Sequence, residues 1–213
     1  MVSKELKLFI KFPDIFVMLF LTITGCIVSI LHWQGWLTLI FIVAGMVAYA
    51  LAEYTTHRFL FHMKPPKNRI LLKFLKRIHY DHHANPGDLH LLFLPLWYSL
   101  PNIAVASSIL MIISHRWQEA IFFATGVGIF LLYYEWRHFV AHRPLVPKTK
   151  WGKKLKKSHL WHHHKNENYW YGVTHTVLDY VFQTYPDEKL VEKSQTARDL
   201  EHRIKEQVTE SHF

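Results

Sequence analysis

The segment LLFLPLWYSLPNIAVASSILMII, residues 91 to 113, decides the fold class. It is 23 residues long and carries no charge. At about 1.5 Å per residue it is long enough to cross the roughly 30 Å hydrocarbon core of a bilayer. A soluble helix of that length needs a polar face, and this one has none. Three more uncharged apolar runs surround it: IFVMLFLTITGCIVSIL at 15 to 31, WLTLIFIVAGMVAYAL at 36 to 51 and AIFFATGVGIFLLYY at 120 to 134. These are shorter and need flanking residues or tilt to match the membrane. With flanks, spans are expected near 14–32, 35–54, 91–113 and 118–136. The first two are joined by HWQG and the last two by SHRWQE, so they read as two membrane hairpins. A second apolar run follows the first at once, with no small-residue cleavage site, which argues against a signal peptide.

The rest of the composition fits. Of 213 residues, half are hydrophobic and 19% are charged, below the quarter typical of soluble domains. The single cysteine, Cys26, lies in an apolar run, so neither a disulfide framework nor a cysteine-based zinc site is available. The length suits one domain, with a polar tail from 185 to 213.

The formal charge of +9 follows membrane topology. Basic residues gather at Lys4, Lys7 and Lys11, at Arg58 through Arg77, and at Lys148 through Lys157. The two hairpin turns share one, Arg116. The positive-inside rule then puts both termini and the central loop in the cytoplasm. A nucleic-acid role is not expected from charge distributed this way.

Histidine is the outlier, at 17 of 213 residues, and ten of them fall into four spaced groups. HRFLFH holds His57 and His62. HYDHH holds His79, His82 and His83. HFVAH holds His138 and His142. SHLWHH holds His159, His162 and His163. Residues three and four apart share a helix face, so H-x3-H offers two imidazoles to one metal. H-x2-HH offers two on one face and a third to the side, enough to serve two neighbouring ions. H-x4-H is about 140° apart on an ideal α-helix. His57 and His62 are therefore expected to reach different ions, unless the helix ends between them, as MKPPKN at 63 to 68 suggests. Ten imidazoles exceed what one ion accepts and suit a pair with about five each. A ligand set free of carboxylate and cysteine suits iron, and imidazole also takes zinc, copper or nickel.

These motifs resemble the fatty acid hydroxylase superfamily, which includes sterol desaturases and carotenoid hydroxylases. Within it the chain is most similar to the catalytic domain of fatty acid 2-hydroxylases. The matching text is EYTTHRFLFHMKPP, HYDHHANPGDLHLLFLP, YYEWRHFVAHRP and SHLWHHHKNENYWYGVTHTVLDYVFQT, roughly residues 45 to 185. The resemblance implies an all-α integral membrane protein with four transmembrane helices and a cytosolic helical cap. It implies a dimetal centre that activates O2, with the ten histidines above as ligands. Di-iron is expected for activity, and zinc can replace it on purification. His82, His83, His162 and His163, with Tyr134, Glu135 and Asp179, are then the candidates for catalytic roles. The implied reaction is hydroxylation of a lipid acyl chain at C2. Only about fourteen residues precede the first span, so electrons are expected from a separate donor such as cytochrome b5 or ferredoxin. For the same reason a bacterial inner membrane is favoured over the endoplasmic reticulum.

Around the ligands, Glu53, Asp81, Asp88, Glu135 and Asp179 are candidates to orient imidazoles. Glu53 lies four residues before His57 and Glu135 three before His138. Phe59, Phe61, Leu91, Phe93 and Trp97 are candidates to line an acyl path. His164 and His175 are weaker ligand candidates. His32, His90 and His115 are expected at the membrane interface, and His202 and His212 in solvent. The polar tail shows no chemistry of its own. The alternatives are a carotenoid or sterol oxidase of the same superfamily and a non-enzymatic membrane metal binder. Uncharged spans with histidines outside them argue against a transporter.

Overall fold

The computed structural model describes residues 2 to 202, and among them all regular structure is helical. The chain falls into two compact units, each built from two stretches of sequence. The first joins Met1–Leu51 to Phe93–Trp136, and the second joins Ala52–Leu92 to the chain from Arg137 onward.

The first unit holds the apolar helices. After α1 (Val2–Lys11), Pro13 opens α2 (Pro13–Leu31), where its missing N–H costs nothing. Then come α3 (Trp36–Thr55), α7 (Leu96–Ser114) and α8 (Trp117–His142). α3 and α8 continue past this unit's limits. Three stretches are long and apolar enough to cross a membrane: Pro13–Leu31, Trp36–Phe61 and Leu89–Ser114. Their exposed side chains include Phe16, Phe20, Ile27, Ile40, Val43, Val105 and Ile112, which suits a lipid surround. The fourth expected span lies in α8, 26 residues long. Glu119, Glu135 and Arg137 flank its apolar stretch closely, so α8 is less apolar than the other three.

Close helix contacts rest on glycine. A Cβ at Gly45 would lie 2.1 Å from the Phe123 carbonyl oxygen, and one at Gly126 would lie 1.9 Å from that of Ile42. Only glycine lets α3 and α8 approach so near, as small residues do in membrane bundles. Phe93 packs on Phe9 and Phe12, with ring centroids 5.6 and 4.7 Å apart. It is a core residue of this unit.

The second unit carries the histidines. At the end of α3 the chain widens into a π turn (Thr56–Phe61), closed by the His62 N–H donating to the His57 carbonyl at 3.2 Å. MKPPKN ends it as expected. Asn68 restarts the helix by accepting from the Ile70 and Leu71 N–H groups at 2.9 and 3.0 Å. α4 (Arg69–Leu75) passes through a second π turn (Lys76–Tyr80) into α5 (Asp81–Ala84). Leu75 and Ile78 are buried, whereas Ile70 is exposed. A short α6 (Leu89–Leu92) follows. Thr149 caps α9 (Lys150–His164), accepting from Gly152 N–H at 3.0 Å. Then come α10 (Val177–Val181) and two 3-10 turns, Glu188–Leu190 and Leu200–His202.

Candidate metal centre

Ten imidazoles converge within the second unit as two groups of five. His57, His62, His79, His83 and His162 form the first, and His82, His138, His142, His159 and His163 form the second. Within each group the ligand nitrogens lie within 4.8 Å of one another. Every member is buried except His142, which is partly so.

Neighbouring histidines divide as the spacing requires. His82 and His83 enter different groups, as do His162 and His163, because adjacent helical residues point about 100° apart. His138 and His142 share a group. His57 and His62 also share one, contrary to the expectation from an ideal α-helix. The reason is the π turn, whose i→i+5 hydrogen bond brings residues five apart onto one face.

The first group is wired to the backbone. His57 Nδ1 donates to the Tyr171 carbonyl at 2.6 Å, His83 Nδ1 to that of Ala197 at 2.7 Å, and His162 Nδ1 to that of Tyr169 at 2.7 Å. A neutral imidazole has one N–H, so Nε2 in each of these rings presents a bare lone pair. The Nε2 atoms then meet head to head. His79 Nε2 lies 3.2, 2.7 and 3.0 Å from those of His57, His62 and His83, and His62 Nε2 lies 3.0 Å from that of His162. In the second group, His138 and His82 meet at 2.9 Å, as do His142 and His159.

Converging lone pairs repel unless a cation lies among them, so the donor set fits a metal ion in each group. Charge points the same way. Burial, reinforced by neighbouring imidazoles, holds His62, His79, His82, His138, His159 and His163 well below the usual imidazole range. Burial takes His142 down to about 3. Near neutral pH these rings are uncharged and able to ligate.

The candidate carboxylates act at one remove. Asp179 accepts from the Tyr171 and Gly172 N–H groups, both at 2.9 Å, and from the Thr184 hydroxyl at 2.7 Å. Burial raises its pKa against these bonds. Glu53 accepts from the Val173 and Thr174 N–H groups at 2.8 and 2.9 Å, and from the Thr174 hydroxyl. These bonds hold the loop that presents the Tyr169 and Tyr171 carbonyls. Within that loop Trp170 is fully buried in a left-handed conformation (φ 57°), which costs a non-glycine residue about 1–2 kcal/mol. Its N–H donates to Thr184 O at 2.8 Å and its indole to Pro186 O at 3.3 Å.

Other candidates fall elsewhere. Asp81 pairs with Lys76 at 3.3 Å, and Asp88 caps the His90 N–H at 2.9 Å. Tyr134 and Glu135 belong to the first unit, where Glu135 accepts from the Leu94 N–H at 3.0 Å and Tyr134 packs on Tyr49. Phe61 stacks on His79, while Phe59 and Trp97 are exposed and Leu91 is partly buried. His164 is exposed and His175 half-buried, both outside the two groups. His32, His90, His115 and His202 are exposed, and His212 lies outside the described residues.

The family model for fatty acid hydroxylases matches residues 42 to 184. The chain belongs to the fatty acid hydroxylase family. It is 33% identical over 156 residues to the fatty acid 2-hydroxylase of Rattus norvegicus, covering 72% of this chain and 41% of the relative. It is 33% identical over 150 residues to the ceramide very long chain fatty acid hydroxylase SCS7 of Saccharomyces cerevisiae, covering 68% and 38%. A solved structure titled full-length scs7p, with only the hydroxylase domain visible, superimposes with a TM-score of 0.69 at 27% identity. That match covers 84% of this chain and 66% of the other. The chain thus spans about two fifths of the length of the rat and yeast relatives. Membership of the family favours a membrane enzyme over a non-catalytic metal binder. The family match ends at 184, short of Ala197, whose carbonyl serves His83. A backbone carbonyl has no signature in sequence, so nothing in the polar tail marks this partner.

Proposed function

We propose that this chain hydroxylates an unactivated C–H bond of a lipid acyl chain, at C2 of a fatty acid or sphingolipid acyl group. The observation that carries the reading is the pair of five-histidine groups, all nitrogen ligands and nearly all buried. Two ions would be held, one by His57, His62, His79, His83 and His162, the other by His82, His138, His142, His159 and His163. Bound iron supplies the power to activate O2 and attack an aliphatic C–H bond, which no side chain has. Overall, the C–H bond and O2, with two electrons and two protons, give an alcohol and water. The electrons come from a separate donor protein such as cytochrome b5 or ferredoxin.

The chain's own residues orient and exclude. The Tyr169, Tyr171 and Ala197 carbonyls keep protons on Nδ1 and turn Nε2 inward. Burial of the imidazoles keeps water from the oxidant. Glu53 and Asp179 position the loop that presents two of these carbonyls. The apolar helices give a lipid substrate a membrane from which to arrive. We place four spans in that membrane, α8 included, with both termini cytoplasmic by the distribution of basic residues.

The test is mass spectrometry of lipids from a sphingolipid-containing host that expresses the chain with an electron donor. A His82→Ala/His83→Ala variant is the control. An acyl species heavier by one oxygen, absent from the control and placed at C2 by fragmentation, is expected. Metal-loaded protein with a competent donor that yields no oxygenated lipid overturns the proposal.

A further inference from the structure

We infer that the polar C-terminal stretch from Glu188 to His202 is a clasp that retains the ion of the first histidine group, with the Ala197 carbonyl as its positioning contact. The inference rests on the metal-ligand reading above. It concerns a segment beyond the family match, which ends at residue 184.

The stretch is pinned on two sides. Toward the first H-x2-HH motif, Ala197 O accepts from His83 Nδ1 at 2.7 Å, and Arg198 donates to Ala84 O at 2.9 Å. Glu201 pairs with Lys76. Toward the residues after the second motif, the Ser194 N–H donates to Lys165 O at 2.7 Å, and the Thr196 hydroxyl to Glu167 at 2.6 Å. The Asn166 side chain donates to Glu192 O at 3.2 Å, and Lys165 Nζ to Glu188 O at 2.5 Å. Ala197 and Leu200 are buried, as is His83 beneath them.

The chemistry follows from one proton. While Ala197 O accepts from Nδ1, His83 keeps its lone pair on Nε2, facing His79 Nε2 at 3.0 Å. If the clasp lifts, His83 is free to change tautomer or rotate, and the first group loses a donor. Loss of such a supporting contact typically lowers metal affinity about 10–100-fold. The stretch reaches the first group directly, through the His83 Nδ1 bond, and the second at one remove, through His163 stacked on His83 at 4.0 Å, so the first ion is the more affected of the two.

The experiment uses the full chain in detergent, loaded with Zn2+ and challenged with a chelator, while retained metal is counted over time by elemental mass spectrometry. Thr196→Val/Arg198→Ala removes two pins without touching a ligand. Lys154→Met is the control for general loosening, since Lys154 donates to the Tyr180 hydroxyl at 3.1 Å at an exposed place outside the clasp. Hydrogen exchange across residues 188 to 202 verifies that the clasp has opened. The expected result is one ion released about tenfold faster and the other accelerated far less. If the double variant does not fold, Ser194→Pro removes the bond to Lys165 O and opens the same stretch. An opened clasp with unchanged release of both ions, or equal acceleration of both, overturns the inference and leaves the metal-ligand reading intact. Wild-type protein that binds no ion overturns that reading, and the clasp with it.

Discussion

The two histidine groups have the same number of rings and different support. In the first, three rings donate Nδ1–H to backbone carbonyls of Tyr169, Tyr171 and Ala197. In the second, Nδ1 of His82, His159 and His163 meets no hydrogen-bond partner among the described residues. There the rings pack mainly on one another and on the first group, as His163 does on His83, stacked at 4.0 Å. The first group is oriented mainly by main chain and the second mainly by ring packing, with one backbone bond between Leu92 and His138. A main-chain brace is disturbed from a distance through the loop that carries it, whereas a packed ring is disturbed only by its neighbours.

The largest effect is expected on removing a ring from either group. His83→Ala and His163→Ala should each reduce activity to background and cost one ion by elemental analysis. Equal loss is expected here, because ligation is common to both groups.

Next is the loop. A Cβ at Gly172 would lie 1.9 Å from His175 O and 2.7 Å from Asp179 Oδ2. Gly172→Ala should therefore cost about 3 kcal/mol in denaturant unfolding. It should weaken zinc at the first group while sparing the second. Asp179→Asn puts an amide N–H where the carboxylate accepts from the Tyr171 and Gly172 N–H groups. A 10–100-fold loss of affinity for one ion is expected in a metal titration. Equal weakening of both ions in either variant would erase the distinction between the groups.

Acid should have a smaller effect. Rings such as His142, with a pKa of about 3, stay neutral in the fold but protonate near 6.5 when unfolded. The unfolded state then binds more protons, so stability is retained above about pH 6.5 and falls as pH drops toward 3. Thermal melts of metal-free protein between pH 7 and 4 measure this. The smallest effect belongs to Asp81→Asn. Its ion pair with Lys76 is more than a third exposed on both sides, so a stability change within about 0.5 kcal/mol and unchanged metal binding are expected.

The sequence made the ligand pattern readable because α-helical geometry converts spacing into direction. His82 and His83 had to diverge, and His138 and His142 had to agree. Three apolar segments are equally plain, and each overlaps a helical stretch long and apolar enough to cross a membrane. The spacing of His57 and His62 leaves their grouping open, because a π turn has no mark in residue type. Glu53 was placed near the site by its spacing from His57. Its target, though, is a loop some 120 residues away, and nothing local to Glu53 specifies that pairing. The tail from 185 looked inert because its service to His83 comes from a peptide group that every residue has.

The wide turn at Thr56–Phe61 works as a change of phase. A helix that keeps one face to lipid must repeat its apolar residues at its own period, and a helix that serves a metal must repeat its histidines at the same period. Fitting an extra residue into one turn resets that count between the two tasks. The lipid-facing stripe before the turn and the ligand stripe within it can then be set independently, and a substitution that tunes one leaves the rotation of the other unchanged.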